Sequence, residues 1–392
     1  MNKQQQPIVS FPKTPQPDFK RLVEELSGRR QPKKVPLVEW FVDYEVIDVI
    51  LRQQFDDSGP PIRKLLESGE DNKISFLKSD SDRLYVDRLI KFYHLAGYDC
   101  IADHIPLNRL VSRIFQPRMR SLRIAPDTAA LSRGTRTFAE EGKGIVQSRE
   151  DLERFFAAEF PIELGAYYEY LRKRLPEGMK VMVGGSFFEQ VLERLLGYEG
   201  LFLLLHDQVD LVADAFQRLG ELVYKIYEST VDYDCVGGIF HADDLGFRTA
   251  TMLSPTDLQR FVFPWFKRYG ELAHSRGKAF WYHSCGNLVQ VMDTLIDDVG
   301  IDAFHSFQDA ILPVSEFKKK YGHRVATLGG IDVDKLSRLD EPGIRAYIRD
   351  MLDQCMPGGR FALSSGNSVP NYAPVNNYLA VLDEAYRWSS RR

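Results

Sequence analysis

Residues 278–287 read KAFWYHSCGN. The first half alternates and is rich in aromatic residues, which predicts a short buried strand, and the glycine near its end predicts a turn. Residues i and i+2 of a strand point to the same side. If the strand geometry persists to Cys285, His283 and Cys285 project together from the strand's carboxyl end. An imidazole and a thiol so placed form a pair of zinc-type ligands.

Working outward, the chain alternates strand and helix patterns. Strands are expected at 35–42 (VPLVEWFV), 100–105 (CIADHI), 181–184 (VMVG), 238–242 (GIFHA), 278–283, 303–307 (AFHSF), 324–328 (RVATL) and 361–363. Helical sequence follows each of them, including 255–275 behind a Ser254-Pro255 start and 375–388 at the end. Eight such units in one chain predict an α/β fold, a single (β/α)8 TIM barrel. The alternative, an open doubly wound sheet, lacks its usual G-x-G-x-x-G turn after the first strand. Residues 1–34 are read as an N-terminal arm with one amphipathic helix over 18–26, and 35–392 as the barrel. The stretch 106–178 is an elaborated region after the second strand, with a hairpin expected around 135–146 and four arginines, Arg113, Arg118, Arg120 and Arg123.

At 392 residues with 44% hydrophobic content the chain can bury a large core. Its net charge of −4, from 51 basic and 55 acidic residues, offers no field for nucleic acid or an anionic membrane surface. Small-molecule or protein partners are expected. The start of the chain is polar and proline-rich, the longest apolar run, at 201–205, is too short to span a bilayer, and the four cysteines form no C-x-x-C pair. These features predict a cytoplasmic protein.

In a barrel of this kind the active site lies at the carboxyl ends of the strands. The polar residues expected there are Glu39, His104, Asp243, Asp244, His283, Cys285, His305, Gln308, Asp332 and Asn367. Asp243 and Asp244 suit a zinc ligand, a general acid or base, or the first turn of a following helix. Gln308, just past a strand, can orient a polar substrate. The Gly329-Gly330-Ile331-Asp332 turn fits either a close backbone approach to a ligand or a simple tight turn.

Four stretches in order carry a family resemblance: HADDLGFRTATMLSPTDLQRFVFPWFKR (241–268), YHSCGNL (282–288), FHSFQ with TLGGID (304–332) and FALSSGNSVPNYAPVNNY (361–378). Together they resemble the uroporphyrinogen decarboxylase superfamily, which includes zinc-dependent cobalamin methyltransferases. The resemblance implies a single barrel. The decarboxylases carry an arginine-rich N-terminal segment that grips porphyrinogen carboxylates; the matching place here, 38–46, reads VEWFVDYEV. The methyltransferases hold zinc with a His-x-Cys pair and a further thiolate from the turn after the last strand. By resemblance the first two ligands are His283 and Cys285, and the third position falls near Asn367, with Asp243 or Asp244 as the substitute donor. The implied activity is methyl transfer between a small methylated substrate or thiol and a corrinoid carried by a separate protein. A metal-independent decarboxylase or lyase acting on an anionic substrate, and a non-catalytic ligand-binding barrel, are the alternatives.

Overall fold

The computed structural model describes residues 11, 14–65, 73–118, 142 and 144–390, together with the backbone of 122–126 and 135–139. Seven parallel strands form the main sheet: β1 Cys100–Asp103, β2 Lys180–Gly185, β3 Val236–Ala242, β4 Ala279–His283, β5 Ala303–His305, β6 Ala326–Leu328 and β7 Phe361–Ala362. They lie side by side in chain order from β1 to β7. The eighth place is taken by residues 35–42, which meet the far edge through parallel bridges, Leu37 to Leu363 and Val42 to Val369. The regular strand expected over 35–42 is thus reduced to bridge contacts. Pro36 has no amide to donate, and its carbonyl instead accepts from Leu363 N at 2.8 Å. On the other side the Trp40 carbonyl reaches the His104 ring, at 2.7 Å, just beyond β1.

Alternation along the strands creates two cores. Val38, Trp40, Ala102, Met182, Phe240, Trp281, Ala303, Ala326, Leu328 and Ala362 point inward and form one cluster. Their neighbours, such as Leu37, Ile101, Val181, Ile239, Phe280 and Phe304, point outward into a larger cluster under the helices. Two tryptophans are accommodated inside because alanine occupies so many of the facing positions, the large-against-small filling of a narrow barrel.

Helix α1, Phe19–Leu26, closes the base of the barrel. Asp18 caps it by accepting from Arg21 N, and Gly28 follows its end at φ 75°. Phe19, Leu22 and Leu26 belong to the interior cluster, and the Phe19 ring sits where a Cβ on Gly237 would be, 2.4 Å away. Every tether of α1 is to a strand's amino end: Phe19 N to Gly178 O at 2.9 Å, Arg360 N to Glu25 O at 3.1 Å, and Arg21 to Asp99 at 2.6 Å. The helix expected in the arm is therefore part of the barrel's packing.

After β1 the chain makes its long excursion. A hairpin is present, but its antiparallel strands are Leu122–Pro126 and Thr135–Ala139, earlier than the expected 135–146. Arg118 donates to Ile114 O at 2.8 Å and lies over the Phe155 and Phe160 rings, while Arg113 is buried. Arg120 and the side chain of Arg123 lie outside the described residues. Among the described residues, no helix is long and apolar enough to cross a membrane.

Candidate metal centre and active site

The register of the sheet builds the site. Ala242 pairs with His283 and His283 with His305, so the residues just past β3, β4 and β5 arrive side by side. His283 Nε2 lies 3.8 Å from Cys285 Sγ and 3.5 Å from Asp244 Oδ1, and the three donor atoms lie within 4.8 Å of one another. Tetrahedral zinc with bonds of about 2.0 to 2.3 Å separates its ligands by roughly 3.3 to 3.8 Å. The two separations from His283 Nε2 fall in that range and the whole set closes within 4.8 Å, so one nitrogen, one sulfur and one oxygen here are compatible with zinc.

Backbone contacts hold the set. Cys285 N donates to Asp244 Oδ1 at 2.7 Å, and Leu245 N to Ser284 Oγ at 3.0 Å. The two loops touch glycine to glycine: a Cβ on Gly286, itself at φ 91°, would stand 2.2 Å from the Gly246 carbonyl carbon. Asn367 Nδ2 donates to Cys285 Sγ at 3.1 Å, and Ser306 Oγ lies 3.6 Å from that sulfur. Burial, then the Asp244 carboxylate, holds the Cys285 thiol well above its ordinary range. Burial also penalises the Asp244 anion, but the His283 ring and the Cys285 amide outweigh it and hold that carboxyl below its usual value. A divalent cation at the centre would favour both anions.

Asp243 turns the other way. It is fully buried and accepts from Ser186 Oγ at 2.7 Å, from the amides of Phe187, Phe188 and Glu189 at 2.8 to 3.0 Å, and from His241 Nε2 at 2.8 Å. Its carboxylate anchors the start of the turn after β2, away from the donor triad.

Behind His283 runs a buried line of partners. His283 Nδ1 is 2.6 Å from His305 Nδ1, and His305 Nε2 is 2.9 Å from Ser365 O. Glu39 accepts from Ser364 Oγ and Ser365 N, each at 3.1 Å, and from Ser365 Oγ; burial pushes its carboxyl up to about 7 against those bonds. Trp40 stacks on His283, centroids 5.2 Å apart. His104, bonded to the Trp40 carbonyl, is brought down to about 4 by burial.

Residues 160–388 match the uroporphyrinogen decarboxylase family model. The chain belongs to the uroporphyrinogen decarboxylase family. Among solved structures, a methyltransferase from Methanosarcina mazei shares the fold, with a TM-score of 0.63 and 16% identity over 95% of this chain and 99% of that one. An endo-1,4-beta-xylanase from Caldicellulosiruptor owensensis aligns at a TM-score of 0.32 and 12% identity, over 55% of this chain and 80% of that one. No curated protein matches the chain.

Within this family barrel, the expected site residues divide into distinct groups. Asp244, His283, Cys285 and Asn367 meet at one point, with His305 and Glu39 aligned behind them. Gln308 is exposed on the loop after β5, beside Ser306 and Phe307. Asp332 caps the helix Val333–Arg338, accepting from Asp334 N and Lys335 N, and also takes Asp309 N at 2.8 Å. Sequence reasoning missed Trp40, Ser306 and Glu189. The Glu189 carboxyl is raised well above its ordinary range by burial and then by Asp244 and Asp243. Its place three residues after Gly184-Gly185-Ser186, where β2 turns into a helix, was the available signal for it.

Proposed function

We propose that this chain is a zinc-dependent methyltransferase that moves a methyl group between a small methylated substrate or thiol and a corrinoid on a separate protein. The observation that carries the reading is the Asp244, His283 and Cys285 triad, spaced for tetrahedral zinc at the carboxyl ends of β3 and β4. Zinc bound there would lower the pKa of a thiol substrate, or activate the leaving group of a methyl donor.

The chain's own residues do the rest. Asp244, from the loop after β3, supplies an oxygen donor in place of the thiolate that the resemblance expects near Asn367, and Asn367 itself donates to Cys285 Sγ, drawing charge from it. The Trp40 face covers His283 and keeps water from one side of the ligand set. Ser306 and Gln308 are the polar groups available to orient a small substrate. The lyase reading has less support. Arg113 and Arg118 pack within the excursion, and Asp243 has both oxygens engaged.

The test is elemental analysis of wild type, Cys285→Ala and Asp244→Asn, followed by methyl transfer to reduced cobalamin. About one zinc per chain in wild type, lost in both variants, supports the reading. A wild type that stays metal-free after zinc is supplied would overturn it.

A further inference from the structure

We infer that the space between β1 and the helices covering it is a binding site for a small alkylammonium ion, with the Asp103 carboxylate as counterion and aromatic rings as walls. Asp103 is the last residue of β1, two places after Ile101, so its side chain lies on the outer, helix-covered face of the sheet and not among the residues that fill the barrel. It is only 4% exposed. Among the described residues, every hydrogen bond that reaches it comes from a neutral donor: Tyr167 Oη at 2.8 Å and Ile105 N at 3.1 Å on Oδ1, and Tyr168 Oη at 2.8 Å on Oδ2. A carboxylate offers about four lone-pair positions, so these three donors leave room for another. Burial pushes the carboxyl up to about 6 against those bonds, which still leaves it ionised at neutral pH. A buried anion with neutral partners gains from a cation beside it.

Next to the carboxylate lies a cavity of about 30 Å³ lined by Phe41, Tyr44, Tyr85, Tyr93 and Tyr167. Phe41 meets Tyr44 at 74° and Tyr44 meets Tyr85 at 81°, with centroids 5.6 and 5.8 Å apart, so the rings wall the space from more than one direction. The Tyr44 and Tyr85 hydroxyls bond each other at 3.0 Å, and that of Tyr167 is spent on Asp103. The rings therefore offer a guest their π systems more than their hydroxyls. Ring quadrupoles attract a cation, and Asp103 fixes where it sits. A neutral guest gains neither attraction, and an anion would meet Asp103 as a like charge. Val86 and Ile90 supply an aliphatic side for the alkyl group. Phe41 and His104, half-buried at the carboxyl end of the sheet, form the edge by which a guest enters. A single water needs about 10 to 15 Å³ of such space, so the cavity has room for about two or three groups of that size, enough for ethylammonium.

This site is separate from the metal centre, and its test does not depend on zinc. Ethylammonium chloride is titrated into the full-length chain at constant ionic strength, with binding followed by ligand-observed NMR. Saturable binding at about millimolar concentration is expected, the ceiling for a ligand this small. Ethanol, of the same size and neutral, should bind at least about tenfold more weakly, and tetramethylammonium, too large for the space, should not compete. Asp103→Asn should weaken ethylammonium at least about tenfold, and Val86→Phe, which keeps the carboxylate and fills the cavity, should abolish its binding. No saturable binding to folded wild type would overturn the inference, leaving a cavity that holds water only. Ethanol binding as tightly as ethylammonium, or undiminished binding in a folded Asp103→Asn or Val86→Phe variant, would overturn it too. Should neither variant fold, the comparison of ethylammonium, ethanol and tetramethylammonium on wild type decides.

Discussion

Neighbouring residues of an extended chain face opposite sides, and at Asp243 and Asp244 this separates a structural anion from a chemical one. Asp243→Asn should destabilise the chain by about 3 kcal/mol in urea unfolding, because donors aimed at a buried carboxylate lose their acceptor. Asp244→Asn should leave the unfolding midpoint of the metal-free chain nearly unchanged and remove the zinc. Asn367→Cys would supply the thiolate that the resemblance expects, and zinc affinity by chelator competition should rise by about tenfold or more. Glu39 gives a prediction in pH. Its folded value of about 7 lies above the ordinary 4.5, so between those pH values the folded chain keeps a proton that the unfolded chain has lost. The stability it contributes is complete below the unfolded value and declines as pH rises through the folded one, by on the order of 3 kcal/mol. Glu39→Gln, unable to ionise, should lack that component when unfolding is compared at pH 5 and pH 7.5. The His283 and Cys285 pairing was legible because strand alternation alone places i and i+2 together. Which of two adjacent aspartates faced inward was not, since alternation does not say which side is the barrel. The state of Glu39 was hidden too, because the groups around it lie more than 300 residues away in sequence.

Elements with local signals were read closely. The last helix, Val375–Ser390, starts where 375–388 was expected to start, and Ser254 caps its helix as the Ser-Pro pattern requires. The hairpin was misplaced because the glycines at 142 and 144 drew the expected turn beyond Thr135–Ala139, which instead pairs back with Leu122–Pro126. Residues 35–42 have a strand's alternation, yet Pro36 and the bend toward β7 leave only bridges. The elements that matter most to the site are the loops after β3 and β4. Gly286→Ala places a side chain on a backbone at φ 91° and against Gly246. Strain of this kind costs about 1 to 3 kcal/mol. The loops can relieve it only by parting, which moves Asp244 from Cys285. Reduced zinc occupancy together with a lowered unfolding midpoint is the expected result.

For the whole molecule, the count of strand and helix units was enough to indicate a closed barrel, since few other folds bury so many parallel strands. The place of α1 was not legible: an amphipathic helix shows the same pattern whether its apolar face covers a flank or fills an end. Leu22, fully buried in the interior cluster, tests that placement. Leu22→Ala should lower stability by about 2 to 5 kcal/mol, as for other buried leucines, without altering zinc content, because the candidate metal site lies at the opposite end. The stopper at the base has a kinetic meaning as well. The interior between the strands is packed with side chains and α1 covers the base, so the site is reached over the carboxyl ends of the strands, and whatever binds there first lies beneath whatever comes next. On the function proposed above, a macromolecular partner docking there would cover a small substrate already seated, so the small substrate would bind first and leave after that partner has gone. Steady-state kinetics should then show compulsory order, the small molecule first, with a large partner added in excess slowing turnover by covering the site before the small molecule is bound.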